Sequence, residues 1–70
     1  MKKSKRMPGS KYWVDYYGEY EKSWYDIMLT SGQVFIRCYP NAGTFHHEET
    51  GEVVDGSLVS KFKLSERQWE

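Results

Sequence analysis

A mainly β chain, folded as a small antiparallel sheet of five or six strands that closes into a barrel or curls strongly, is what this sequence predicts. Two observations predict it. Gln33 to Tyr39 alternates with period two, Val34, Ile36 and Cys38 pointing one way and Phe35, Arg37 and Tyr39 the other. Short runs of strand formers are also separated by glycine-bearing turns at Ser31-Gly32, Ala42-Gly43, Thr50-Gly51 and Asp55-Gly56. With 70 residues there is room for one domain and a small core.

Trp24 to Leu29 is rich in aromatic and β-branched residues and reads as a strand. Thr30-Ser31-Gly32 turns the chain into the alternating strand, which Pro40 is expected to end because proline cannot donate to a ladder. Asn41-Ala42-Gly43 is a second turn, Thr44 to Glu48 a strand, and Glu49-Thr50-Gly51 a third turn. Glu52-Val53-Val54 is a short strand, and Ser57 to Leu64 is the last one, after the Asp55-Gly56 turn. Residues 12–17 read as a further strand and 18–23 as a turn, although Trp13, Tyr17, Tyr20 and Trp24 also fall at helical spacing. Gly18 disfavours that helix by about 1 kcal/mol relative to alanine. The expected core is Ile27, Leu29, Val34, Ile36, Val54, Leu58 and Phe62, with one or two of the preceding aromatics as a lid. Trp24, Met28, Phe35 and Tyr39 are expected on the opposite face.

Ten basic and ten acidic residues give a net charge of zero, but they are unevenly placed. Residues 1–11 carry Lys2, Lys3, Lys5, Arg6 and Lys11 with no acid, leaving five basic and ten acidic residues in 12–70, a charge of −5. The reading is a flexible basic arm over 1–11, one β domain over 12–66 and a tail over 67–70. A single cysteine, Cys38, allows no intramolecular disulfide and points to a reducing, cytoplasmic setting. No apolar run is long enough to span a membrane.

Trp24-Tyr25-Asp26-Ile27-Met28-Leu29, Ser31-Gly32, and Cys38-Tyr39-Pro40-Asn41-Ala42-Gly43-Thr44-Phe45-His46 carry a resemblance. Together with Asp55-Gly56, they resemble short reading frames of phages and prophages. The match runs over about residues 24–60 and leaves out the aromatic segment and the basic arm. It implies a phage-encoded accessory protein, a group in which small cytoplasmic inhibitors of host machinery are frequent. The strand order is similar to that of SH3-like and Sm-like small barrels, an analogy of fold that fixes no function.

His46-His47-Glu48-Glu49 with Cys38 suggests a metal site. Adjacent strand residues face opposite ways, however, and the chain has no C-x-x-C or H-x₃-H spacing, so no metal or other cofactor is expected. A Cys38–His46 nucleophile pair lacks an orienting third group and an oxyanion donor, and an inert buried thiol is expected instead. Glu48 and Glu49 diverge as neighbours and do not form an acid–base pair. The expectation is a protein without catalytic residues.

Seven of the twelve aromatics lie between Tyr12 and Tyr25, more than so small a core needs. Trp, Tyr, Met and Arg concentrate in the centres of protein interfaces. The leading expectation is therefore a protein that binds and modulates a host protein through Trp13, Tyr16, Tyr20, Trp24, Met28, Phe35, Arg37 and Tyr39. One alternative is nucleic-acid binding, with Lys2, Lys3, Lys5, Arg6 and Lys11 on phosphate and the aromatics stacking on bases. Another is an acidic body that imitates a nucleic acid, using Glu48, Glu49, Glu52 and Asp55. Self-association into a homodimer is a further expectation, and no membrane partner is expected.

Overall fold

The computed structural model describes residues 9–18 and 20–68. Within them one six-stranded antiparallel sheet is built from β1 (Val14–Asp15), β2 (Tyr25–Leu29), β3 (Val34–Asn41), β4 (Thr44–His47), β5 (Val53–Asp55) and β6 (Val59–Leu64). The strand order is β1-β6-β2-β3-β4-β5, so β1 and β5 are the edges and the ladder stays open. The mainly β architecture is as expected, in its open-sheet form. The N-terminal strand is shorter than 12–17, and none of the described residues among 18–23 lies in a strand. Residues 1–8 of the expected basic arm, and Trp69 and Glu70 of the expected tail, lie outside the described residues.

The turns follow from backbone chemistry. Ala42 and Gly43, at φ 53° and 83°, form a two-residue connection between β3 and β4. Two left-handed residues match the twist of the strands they join. Pro40 does not end β3 but lies within it, opposite Phe45. Asn41↔Thr44 closes the hairpin, which makes Pro40↔Phe45 the non-hydrogen-bonded pair. The proline nitrogen then faces the β2 side, where the β2 ladder has already ended at Tyr25↔Cys38. The Asp55 side chain accepts from the Ser57 N–H at 2.9 Å and caps a single 3-10 turn, Gly56–Leu58.

The core differs from expectation along β3. Val34 and Ile36 are 45% and 59% exposed, whereas Phe35 is buried. Alternation alone cannot say which of two faces is inner. Arg37 then interrupts the alternation: its φ is 58°, and the register with β2 shifts between Tyr25 and Ile27. This is a β-bulge, an extra residue that reverses the facing of everything after it. Phe35 and Cys38 therefore point inward together. Leu58, expected in the core, belongs instead to the 3-10 turn and is 50% exposed.

The inner face buries Tyr25, Ile27, Phe35, Cys38, Phe45, Val54, Val59 and Phe62, with Val14, Tyr16, Tyr20, Leu29 and Leu64 packed against them. Its centre is an aromatic box. Tyr16 meets Phe45 and Phe62 edge-on at 5.6 and 5.2 Å, Tyr20 lies 5.7 Å from Phe45, and Tyr25 lies 5.1 Å from Phe62. The Tyr25 hydroxyl donates to the Glu21 carbonyl and accepts from the Glu21 N–H, so the buried ring carries no unsatisfied polar atom. The Tyr16 N–H bonds the Ser60 carbonyl, carrying the β1–β6 pairing beyond β1, and its ring reaches Phe45 on β4. Tyr16 thus links the β1 side of the sheet to β4 without closing the ladder. Two N-terminal aromatics, Tyr16 and Tyr20, form the expected lid.

Candidate binding surface

On a strand, successive side chains alternate between faces, and cross-strand partners share one. The register therefore assigns the outer face. Lys61, Met28 and Val34 form one row across β6, β2 and β3. Tyr39, His46 and Val53 form another across β3, β4 and β5. Between these rows Lys63 pairs with Asp26, opposite the Ile36–Arg37 bulge.

Asp26 organises this face. It is 7% exposed, yet its carboxylate accepts from Lys63 Nζ at 2.9 Å and from the Arg37 backbone N–H at 2.9 Å. A buried carboxylate needs such partners, since desolvation without them is strongly unfavourable. The second bond satisfies the N–H that the bulge removes from the ladder. Asp26 therefore holds Arg37 in its left-handed conformation and aims its side chain across the surface.

The Arg37 guanidinium lies 4.3 Å from the centroid of the Trp24 ring and donates to Glu48 at 2.8 Å and to the Gln68 carbonyl at 3.1 Å. Trp24 in turn packs at 5.2 Å on Tyr39, over which lies Lys22 Nζ at 5.9 Å. Lys63 repeats the pattern, with Nζ 5.3 Å from the Trp13 ring centroid. Three cations stand over three aromatic rings, the attraction expected between positive charge and a ring face.

Gln68 belongs to this assembly, although it was expected in a C-terminal tail. Its side-chain amide accepts from the Trp24 N–H at 2.9 Å and donates to the Trp24 carbonyl at 2.8 Å, pairing with that residue as a neighbouring strand would. It also donates to the Ser65 carbonyl. Composition gives no signal for this role, because a lone glutamine near a terminus reads as solvated.

The expected contact residues thus divide. Trp24, Arg37 and Tyr39 come together, Met28 lies on the same face, and Trp13 stands by Lys63. Phe35 does not join them: it is on the inner face, 5.3 Å from the His47 ring. Tyr16 and Tyr20 are half-buried in the aromatic box. Val34, Ile36 and Val53 are the outer-face residues that sequence reasoning missed.

The residues considered for metal or nucleophilic chemistry sit apart. Cys38 is fully buried, and burial, assisted by the Asp26 charge, pushes its thiol up to about 12. A thiol held protonated is a poor nucleophile. His47 is buried, with Nδ1 2.9 Å from the Thr50 hydroxyl, whereas His46 faces outward 3.3 Å from the Thr44 hydroxyl. No group of three or more His, Cys, Asp or Glu side chains among the described residues is arranged to hold a metal ion. No helix among them is long and apolar enough to cross a membrane. In comparisons with protein-family models, with curated proteins and with solved structures, nothing matches this chain.

Proposed function

We propose that the chain is a non-catalytic binding module of the small SH3-like kind. It is a cytoplasmic, phage-type accessory protein that occupies and modulates a host protein. One observation carries this reading. The outer face displays Val34, Ile36 and Val53, each about half exposed, around a Trp24–Arg37–Tyr39 cluster held in place by hydrogen bonds. Solvated sheet faces ordinarily carry polar residues in the alternate positions. Aliphatic side chains grouped with Trp, Tyr and Arg match the make-up of interface centres.

Affinity capture with the full chain from a bacterial lysate tests the proposal, using Ile36→Asp as the comparison. The expected result is one protein recovered stoichiometrically by the parent chain and lost with the variant, whose circular dichroism stays unchanged. Recovery of nothing, or of the same protein by both chains, would overturn the assignment.

Nucleic-acid binding is a second reading, favoured by the cation–aromatic pairs at Trp13, Trp24 and Tyr39 and by the basic residues before Gly9. It requires affinity that falls steeply with salt and is lost when residues 1–8 are deleted.

A further inference from the structure

We infer that the free edge of β5 accepts an extended protein segment, added as an antiparallel strand with basic side chains opposite Glu52 and Asp55. The site lies on the rim of the sheet, two strands from Tyr39, and does not rest on the outer-face reading. β5 pairs only with β4. The His47 N–H donates to the Glu52 carbonyl at 2.8 Å, and the Gly56 N–H donates to the Gly43 carbonyl at 2.9 Å. With the register Phe45↔Val54, these bonds fix the alternation along the pair. Val54 turns its N–H and C=O toward β4, whereas Val53 turns both away, and the Asp55 N–H also points away.

That edge is accessible. Residues 48–53 and 55 are exposed. The β4–β5 register runs without a bulge, and no proline lies between His47 and Gly56, so two common devices that block an edge are missing. The other edge strand, β1, is only two residues long. Outward backbone donors and acceptors at an edge are a template for a further strand. Main-chain hydrogen bonds then give affinity, and the side chains at alternate positions give specificity.

The charges select the occupant. Glu49 lies in the β4–β5 loop, Glu52 directly before β5, and Asp55 ends it. None of the three makes an ion pair among the described residues, and the Asp55 carboxylate accepts only the Ser57 N–H. Cations elsewhere do not offset them: Arg37, Lys61 and Lys63 are held by Glu48, Asp15 and Asp26, and Lys22 over Tyr39 has Glu21 beside it in the chain. Counting every described residue gives six cations against eight acids, a net −2. A second copy on this edge would bring like acids together, and a phosphate backbone would meet the same repulsion. A basic strand meets attraction. In an antiparallel neighbour, the residue opposite Val53 exchanges both hydrogen bonds with it, the residue two earlier faces Asp55, and the next one faces Glu52. Val53 is 55% exposed, so an apolar side chain opposite it removes apolar surface from water. The favoured segment therefore reads basic–any–apolar–basic.

Fluorescence anisotropy with the full-length chain tests this against three labelled peptides. One is built on Lys-Thr-Val-Lys, one has Glu for both Lys, and one keeps Lys but carries N-methylvaline in place of Val. The first should bind at least about fivefold more tightly than either of the others. Val53→Pro should abolish its binding with circular dichroism unchanged, since the Val53 N–H makes no bond to β4. If that variant fails to fold, the N-methylvaline peptide decides the same point alone. Glu52→Lys should weaken the Lys peptide and strengthen the Glu peptide. Ile36→Asp, on the outer face, should leave the affinity within about twofold. Absence of binding, equal binding of the Lys and Glu peptides, unweakened binding of the N-methylvaline peptide, or loss of binding in Ile36→Asp would each overturn the inference.

Discussion

Replacing Asp26 by alanine should be among the most destabilising changes on the outer face. The carboxylate and Lys63 are both largely withdrawn from water, with side-chain exposures of 9% and 16%. Truncation leaves the ammonium without its anion and the Arg37 N–H without its acceptor. Breaking a buried ion pair by removing one member is destabilising by about 3–5 kcal/mol. The orphaned N–H lies at the same site, so its own contribution of about 1–3 kcal/mol overlaps that figure instead of adding to it. A domain of this length has roughly 3.5–10 kcal/mol in total, so Asp26→Ala should leave it marginal or unfolded at room temperature. Asp26→Asn keeps an acceptor for the bulge and should lie between the two. Lys63→Met added to Asp26→Ala removes the stranded charge and should recover at least about 1.5 kcal/mol relative to the sum of the single changes. Urea unfolding followed by tryptophan fluorescence and far-ultraviolet circular dichroism measures all five proteins, the parent, Asp26→Ala, Asp26→Asn, Lys63→Met and the double variant. An Asp26→Ala chain within about 0.5 kcal/mol of the parent would refute the assigned role, since that is the range of an ordinary surface substitution.

The facing of β3 is tested by a pair of neighbours. Phe35→Ala should cost about 3–5 kcal/mol and Ile36→Thr less than about 0.5, as read from urea midpoints. A methyl group at Gly56 would lie 2.7 Å from the Gly43 carbonyl oxygen and 3.2 Å from the Tyr16 hydroxyl. Gly56→Ala should therefore lower stability by about 1–3 kcal/mol in thermal unfolding through overpacking. Alkali should also weaken the fold. The Cys38 thiol is pushed from an ordinary 9.0 to about 12 by burial, so above pH 9 the unfolded chain releases its proton first. Stability from this group is complete below pH 9 and falls by about 1.4 kcal/mol per pH unit until the folded thiol also ionises. Burial moves the Tyr25 and Tyr16 hydroxyls upward too, adding to the loss above their ordinary value of 10.0. Urea titrations at pH 8 and pH 10 should show the fall, and Cys38→Ala should reduce it.

The turns and the strands between them were legible because each rests on local chemistry. Gly32, Gly43 and Gly51 all take the positive φ their turns require, β2 and β4 lie inside the runs read as strands, and β5 is displaced by one residue, taking in Asp55 and leaving out Glu52. Facing was not legible in β3. Val34, Phe35 and Ile36 are all apolar, so the pattern gives a period without saying which phase is inward. Arg37 hides the bulge because no local rule places an arginine at positive φ. The conformation is stabilised by Asp26, eleven residues earlier in the chain. The contact residues divide for a related reason. Tyr16 and Trp24 look alike in composition, but Tyr16 packs on Phe45 and Phe62 of the inner face, while Trp24 packs against Tyr39 of the outer face.

The bulge also connects stability to the proposed function. A regular β3 would put Arg37 inside, where a guanidinium has no place. The extra residue lets Phe35 and Cys38 both enter the core and leaves Arg37 at the surface beside Trp24. The Asp26 carboxylate that makes this conformation affordable is the one that anchors Lys63, and Lys63 in turn meets Trp13 and Ser10. One buried acid therefore sets the geometry of two of the three cation–aromatic pairs. Asp26→Asn, with its milder effect on folding, should consequently disturb binding at Trp13 and Trp24 more than its stability loss accounts for. A face on which each cation was placed independently would lose binding only in proportion to the fraction unfolded.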